Sequence, residues 1–221
     1  MAKIISYIIT GLGAILLITN FHTPLLKPAK KISVYHIMAT RTISLEKRYS
    51  NAFVNDVFKD NILLTLQYMD HDVDEKKIDW SSIEKPFQFE IQLQPDTIFA
   101  FHDKVLPEYQ GKIAKTTGAH FNGAEGFKSD GYLTGDGVCH LASLMNWVAR
   151  DAGLDVTARV NHNFANIPEV PKEYGTSIMT GSGNVSADEM QNLYIKNNQK
   201  KTVVLRFNFD GANLTIAVAK S

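Results

Sequence analysis

The stretch FQFEIQL, Phe87 to Leu93, alternates apolar and polar residues without a break. A period of two puts Phe87, Phe89, Ile91 and Leu93 on one face of a strand and the polar residues on the other, so the chain must build a sheet with one face in a core. The C-terminal stretch repeats the demand. Leu193 to Lys196, Thr202 to Phe209 and Leu214 to Val218 read as strands separated by the turn signals Asn197-Asn198 and Asp210-Gly211, which predicts one antiparallel meander. Between these blocks Leu141 to Ala152 has helical spacing, opened by Gly135, Asp136 and Gly137 and ended by Gly153. Val156 to Val160 then reads as a strand and Asn163 to Gly183 as a loop. The fold class expected is α+β, with a helix that carries Cys139 packed on a mainly antiparallel β-sheet.

Upstream, Asn51 to Met69 repeats apolar residues at helical spacing, with Phe53, Val54, Val57, Phe58, Ile62, Leu63 and Leu66 on one broad face. Asp70 to Lys85 reads as an exposed loop, and Pro107 with the glycines between Gly111 and Gly126 as a long surface connection. From Ile4 to Thr19 the chain carries no charge over 16 residues, and extension to Leu26 reaches the length of a bilayer span. No small-x-small cleavage site follows, so an N-terminal membrane anchor helix is expected over 1–26, in preference to a removed signal. A linker and helical lead-in follow over 27–85. Lys27, Lys30 and Lys31 by themselves would hold the following segment in the cytoplasm.

Composition removes several classes of function. With 23 Lys and Arg against 23 Asp and Glu, the formal net charge is zero, which lacks the basic footprint of a nucleic-acid binder. One cysteine rules out a disulfide within the chain. The GDG segment has neither the Lys-Ser/Thr of a phosphate loop nor a GxGxxG, and no GxSxG or SxxK occurs. Cys139, His140, His162, His120 and Asp136 are residue types that zinc accepts, but no HExxH or CxxC spacing joins them. No metal and no cofactor is expected.

Cys139 falls at the first turn of the predicted helix, where free N–H groups and the macrodipole favour a thiolate and could hold an oxyanion. Gly137 would let a substrate approach the backbone closely. At about 100° per residue, Ser143, Asn146 and Arg150 lie on the stripe of Cys139, and Leu141, Leu144, Met145, Val148 and Ala152 on the opposite one. His162, just after the strand, is the candidate base. Asn163, Asn166, Glu169 and Asp188 are available to orient it, and spacing selects none of them.

These pieces together resemble the VanW-like family. Gly135-Asp136-Gly137-Val138-Cys139 is similar to its glycine-rich GVCQ element, Ala152-Gly153-Leu154 to its AGL, and Arg159-x-x-His162 to its R-x-x-H. Leu93 to Phe101 resembles LxPGExFSF, and Leu193 to Asn198 resembles LxFKNN. The resemblance runs from about Phe87 to the C-terminus and makes 86–221 the family's α+β domain. The chain departs from the pattern at Asp136, His140, Ala142-Ser143-Leu144 and Asn163. A glutamine donates through its amide, whereas His140 donates only in the right tautomer or when protonated.

The resemblance implies a cell-envelope protein associated with glycopeptide resistance. It would be single-pass in the cytoplasmic membrane, with its C-terminal domain extracytoplasmic and cell-wall peptide or glycan as partner. The mechanism expected is attack by Cys139 on an amide or acyl carbonyl of peptidoglycan peptides, with His162 as base and then acid. Gly137, His140, Ser143, Asn146 and Arg159 would bind substrate. The rival is a non-catalytic wall-binding module or an inactive enzyme descendant, its groove shaped by Phe99, Phe101, Phe121 and Tyr132.

Overall fold

The computed structural model describes residues 35–70, 73 and 77–220. In chain order the elements are β1 (His36–Ser44), α1 (Ala52–Asp70), α2 (Trp80–Ile83), β2 (Phe87–Leu93), β3 (Ile98–Ala100), β4 (Ile113–Lys115), α3 (Val138–Asp151), β5 (Asp155–Ala158), α4 (Val185–Met190), β6 (Leu193–Lys196), β7 (Val203–Phe209) and β8 (Asn213–Lys220). The architecture is mixed α+β, with two four-stranded sheets instead of one.

The first sheet has the order β1-β8-β7-β2 and is antiparallel throughout. The alternation of β2 does its expected work: Phe89, Ile91 and Leu93 face the core and pair in register with Phe207, Leu205 and Val203. The β7–β8 hairpin turns at Asp210, whose Oδ1 accepts from the N–H groups of Ala212 and Asn213, while Gly211 takes the positive φ of 108° that the turn requires.

The second sheet, β4-β3-β6-β5, is short-stranded and includes one parallel pair, β3 with β4. It corrects the expected C-terminal meander. β6 pairs with β3 and β5 and makes no ladder with β7. The Asn197-Asn198 signal marks a crossing between sheets: Asn197, fully buried, donates from Nδ2 to the carbonyls of Leu93 (2.8 Å) and Lys201 (2.9 Å) and accepts from Gln199 N–H. An amide side chain that satisfies three backbone groups holds such a crossing as a hairpin turn would hold a hairpin.

α3 packs against β1 and β8 of the first sheet and β5 and β6 of the second. Its Leu141, Leu144, Met145 and Val148 are at most 1% exposed. α1 lies against α3, and its second half is enclosed on every side, so that Ile62, Leu63, Leu64, Leu66 and Met69 are wholly buried. Each such side chain contributes about 1.5–3 kcal/mol of burial. Of the broad face expected for this helix, Val57, Ile62, Leu63 and Leu66 are buried, Val54 and Phe58 are half-buried, and only Phe53 in the first turn is exposed, at 59%. β1 has no counterpart in the sequence reading, because its central Thr40, Arg41 and Thr42 belong to a sheet edge with little apolar alternation. β1 and α1 belong to the same compact unit as all that follows. The anchor helix expected over 1–26 lies outside the described residues; among those described, no helix is long and apolar enough to cross a membrane.

Candidate functional site

The start of α3 is built by close approach of the chain to itself. Gly137 caps the helix at φ 98°, and a Cβ there would stand 2.6 Å from the carbonyl oxygen of Phe58 in α1. The glycine thus serves α1 packing, where the sequence suggested room for a substrate. Asn61, also of α1 and fully buried, fixes the same loop: its Nδ2 donates to the carbonyls of Lys128 (2.9 Å) and Asp136 (2.8 Å), and its Oδ1 accepts from Lys128 N–H (2.8 Å). Nothing in the periodicity of α1 singled out this asparagine.

Cys139 is in the first turn, as expected, but its sulfur is not a poised thiolate. Sγ accepts from Ile178 N–H at 3.4 Å and lies 3.8 Å from Ile178 O, bridging α3 to the 176–180 segment. Burial pushes the thiol up to about 11, outweighing the Ile178 N–H, which favours the charged form. The N–H groups expected to hold an oxyanion are largely spent, since Val138 donates to Gly135 O and both His140 and Leu141 donate to Gly137 O.

Cys139, His140 and His162 line one cavity of about 300 Å³, together with Tyr49, Phe58 and Phe121. His140 is 4% exposed and packs on Phe58 at a centroid distance of 4.9 Å. Its Nε2 is 3.5 Å from the Tyr49 hydroxyl, and Nδ1 has no partner. Desolvation, reinforced by Arg48 and His162, lowers it to about 3, so it is neutral at physiological pH.

His162 is 9% exposed, and burial holds it below the ordinary histidine range. Its Nδ1 lies 3.2 Å from the Ala165 carbonyl. A carbonyl only accepts, so the neutral ring carries its proton on Nδ1 and leaves a lone pair on Nε2. Among the described residues no hydrogen bond joins Sγ to either imidazole. The orienting group is that backbone carbonyl; Asp188 is spent on the N–H groups of Gly181 and Ser182.

Of the residues expected to bind substrate, Gly137 and His140 line the cavity, whereas Ser143, Asn146 and Arg159 do not. Ser143 Oγ donates to Cys139 O (2.7 Å) and accepts from Thr176 N–H (2.8 Å). Asn146 donates to Tyr174 O (2.9 Å) and Thr176 Oγ1 (3.1 Å), and accepts from Arg150 Nε (2.7 Å). The polar stripe read along α3 therefore ties the 174–176 segment to the helix. Arg159 pairs with Glu108.

The aromatics divide likewise. Phe99 and Phe101 are wholly in the core, Tyr132 is 91% exposed away from the cavity lining, and Phe121 alone of the four lines it. Sequence reasoning missed Tyr49, Phe58 and Phe164; only Phe164 had a signal, two residues after His162. His120 also lines the cavity, held between Glu125 (Nδ1, 2.8 Å) and Asp103 (Nε2, 3.4 Å). The Glu125 hydrogen bond, more than burial opposes, raises it above the ordinary histidine range. Among the described residues no group of three His, Cys, Asp or Glu is placed to hold a metal ion.

Fold and site together define a two-sheet α+β protein with a half-enclosed cavity at the start of a cysteine-bearing helix. Residues 90–219, more than half of the chain, match the family described as VanW like protein, and the chain belongs to that family. No curated protein and no solved structure matches it.

Proposed function

We propose that this VanW-like protein is a cell-envelope module that holds a cell-wall peptide or glycan non-covalently in the cavity at the start of α3. In this reading an N-terminal membrane anchor displays the domain outside the cytoplasmic membrane. The observation that carries the choice of binding over catalysis is the state of Cys139: a sulfur hydrogen-bonded to the Ile178 backbone and held as a neutral thiol is a poor nucleophile. The rim supports a binding role. Leu133, Phe164 and Met179 line the cavity while 64%, 72% and 42% exposed, a cluster of apolar surface that a ligand would cover.

Capture of the full chain, in detergent, on isolated sacculi tests this. Cys139→Ala should be captured as well as the wild type, and Phe164→Ala roughly tenfold less well. Release of wall fragments by the wild type that is lost in Cys139→Ala would overturn it. Protease treatment of intact cells should digest the domain if it is displayed outside.

A second reading, a Cys-His thiol hydrolase or acyltransferase acting on peptidoglycan peptides, is favoured by one observation: Cys139 and His162 line the same cavity. It requires the Ile178 segment to release the sulfur before His162 can take its proton.

A further inference from the structure

We infer that the ligand of the cavity is the glycan and not the peptide: an uncharged sugar residue lies against the ring of Phe164 and donates a hydroxyl or acetamido N–H to Nε2 of His162. This rests on the non-covalent wall-binding reading and sharpens it to one chemical class.

Three observations converge. First, the hydrogen bond from Nδ1 to the Ala165 carbonyl makes Nε2 an acceptor, and among the described residues no hydrogen-bond donor is paired with it. The cavity thus asks its ligand for an O–H or N–H. Second, the Phe164 ring lies 4.0 Å from the His162 ring, centroid to centroid, and is 72% exposed. An open aromatic face beside a hydrogen-bond acceptor matches the two sides of a pyranose, an apolar C–H face and an edge of hydroxyls. Third, among the described residues no uncompensated cation lines the cavity. His120 is flanked by the Glu125 and Asp103 carboxylates, Asp136 adds a carboxyl group, and His140 and Cys139 are uncharged. Arg48 lies behind His140, outside the lining, and gives its guanidinium to the carbonyls of Ser44 and Pro168. A stem peptide brings carboxylates, and each would enter without a counter-charge to replace its water. The volume, about 300 Å³, is at the small end of ligand cavities and suits one sugar residue at a time.

Isothermal titration of the full chain, in detergent, with a tetramer of N-acetylglucosamine tests the assignment against a synthetic wall stem pentapeptide. The tetramer should bind saturably and the pentapeptide should not. Phe164→Ala and His162→Ala should each weaken tetramer binding about tenfold, with melting temperature confirming a folded chain. His162→Gln, whose amide oxygen can still accept, should stay within about threefold of the wild type. Failure of the tetramer to bind overturns the inference, and so does equal loss in His162→Gln and His162→Ala. If the pentapeptide binds and also competes for sacculi, the glycan assignment falls while non-covalent wall binding stands. If sacculi are not captured at all, the broader reading falls with it.

Discussion

The floor and the rim of the cavity are built on opposite principles. The floor, from Gly135 to His140, is clamped by Asn61, seated on Phe58 and tied to Ile178 by the Cys139 sulfur, so its backbone is fixed before any ligand arrives. The rim, made of Leu133, Phe164 and Met179, leaves large apolar side chains in water. The difference separates two tasks. The floor spends folding energy on position, and the rim holds back apolar surface whose burial can stabilise a complex.

Substitutions that distinguish the two regions should differ in what they damage. The largest effect belongs to the floor. Gly137→Ala places a Cβ against the Phe58 carbonyl at a φ that L-residues rarely adopt, and should cost about 3 kcal/mol or more in denaturant unfolding. A tolerated alanine would show that the floor is softer than its geometry implies.

Acid should act on the floor next. His140 has a folded value of about 3 against 6.5 unfolded, so the unfolded chain takes the proton first as pH falls. The stability is fully present above pH 6.5 and declines toward pH 3, by about 3 kcal/mol at pH 4 from this group. Relative to the wild type, His140→Phe should flatten that limb in urea titrations.

Cys139 provides a chemical readout of the same region. With its thiol near 11 instead of 9.0, the thiolate fraction at pH 8 is about a hundredfold lower than for an ordinary cysteine. Iodoacetamide should label the native chain at least that much more slowly than the denatured one. Rapid native labelling would favour the enzyme reading.

The smallest stability effects should come from exposed positions. Phe164→Ala on the rim, and Arg159→Ala in its exposed pair with Glu108, should each change unfolding free energy by no more than about 0.5 kcal/mol. Only the first should reduce sacculus capture.

What was legible in the sequence follows the same division between regular and constructed parts. β2, the β7–β8 hairpin and α3 could be read because their burial has a period and their ends carry glycine or aspartate turns. β1 and β4 lacked a period, and the destination of β6 depended on Asn197 joining segments far apart in sequence. At the site, local signals placed Cys139 at a helix start and His162 after a strand. They could not show that Ile178 would occupy the sulfur or that Ser143 and Asn146 would turn to the 174–176 backbone. Those outcomes depend on which neighbour reaches a polar atom first, and spacing does not encode that.

The segment shared with the family begins at residue 90, after both β1 and α1 have ended. Yet β8 relies on β1 to cover its outer edge, and α1 fills the centre of the protein while supplying Phe58 and Asn61 to the floor. A fragment cut at the boundary of kinship would carry a bare sheet edge and a helix-sized hollow, an invitation to aggregate. Kinship and self-sufficiency thus have different borders here, and whatever selectivity the cavity has is written in part upstream of the ancestry it advertises.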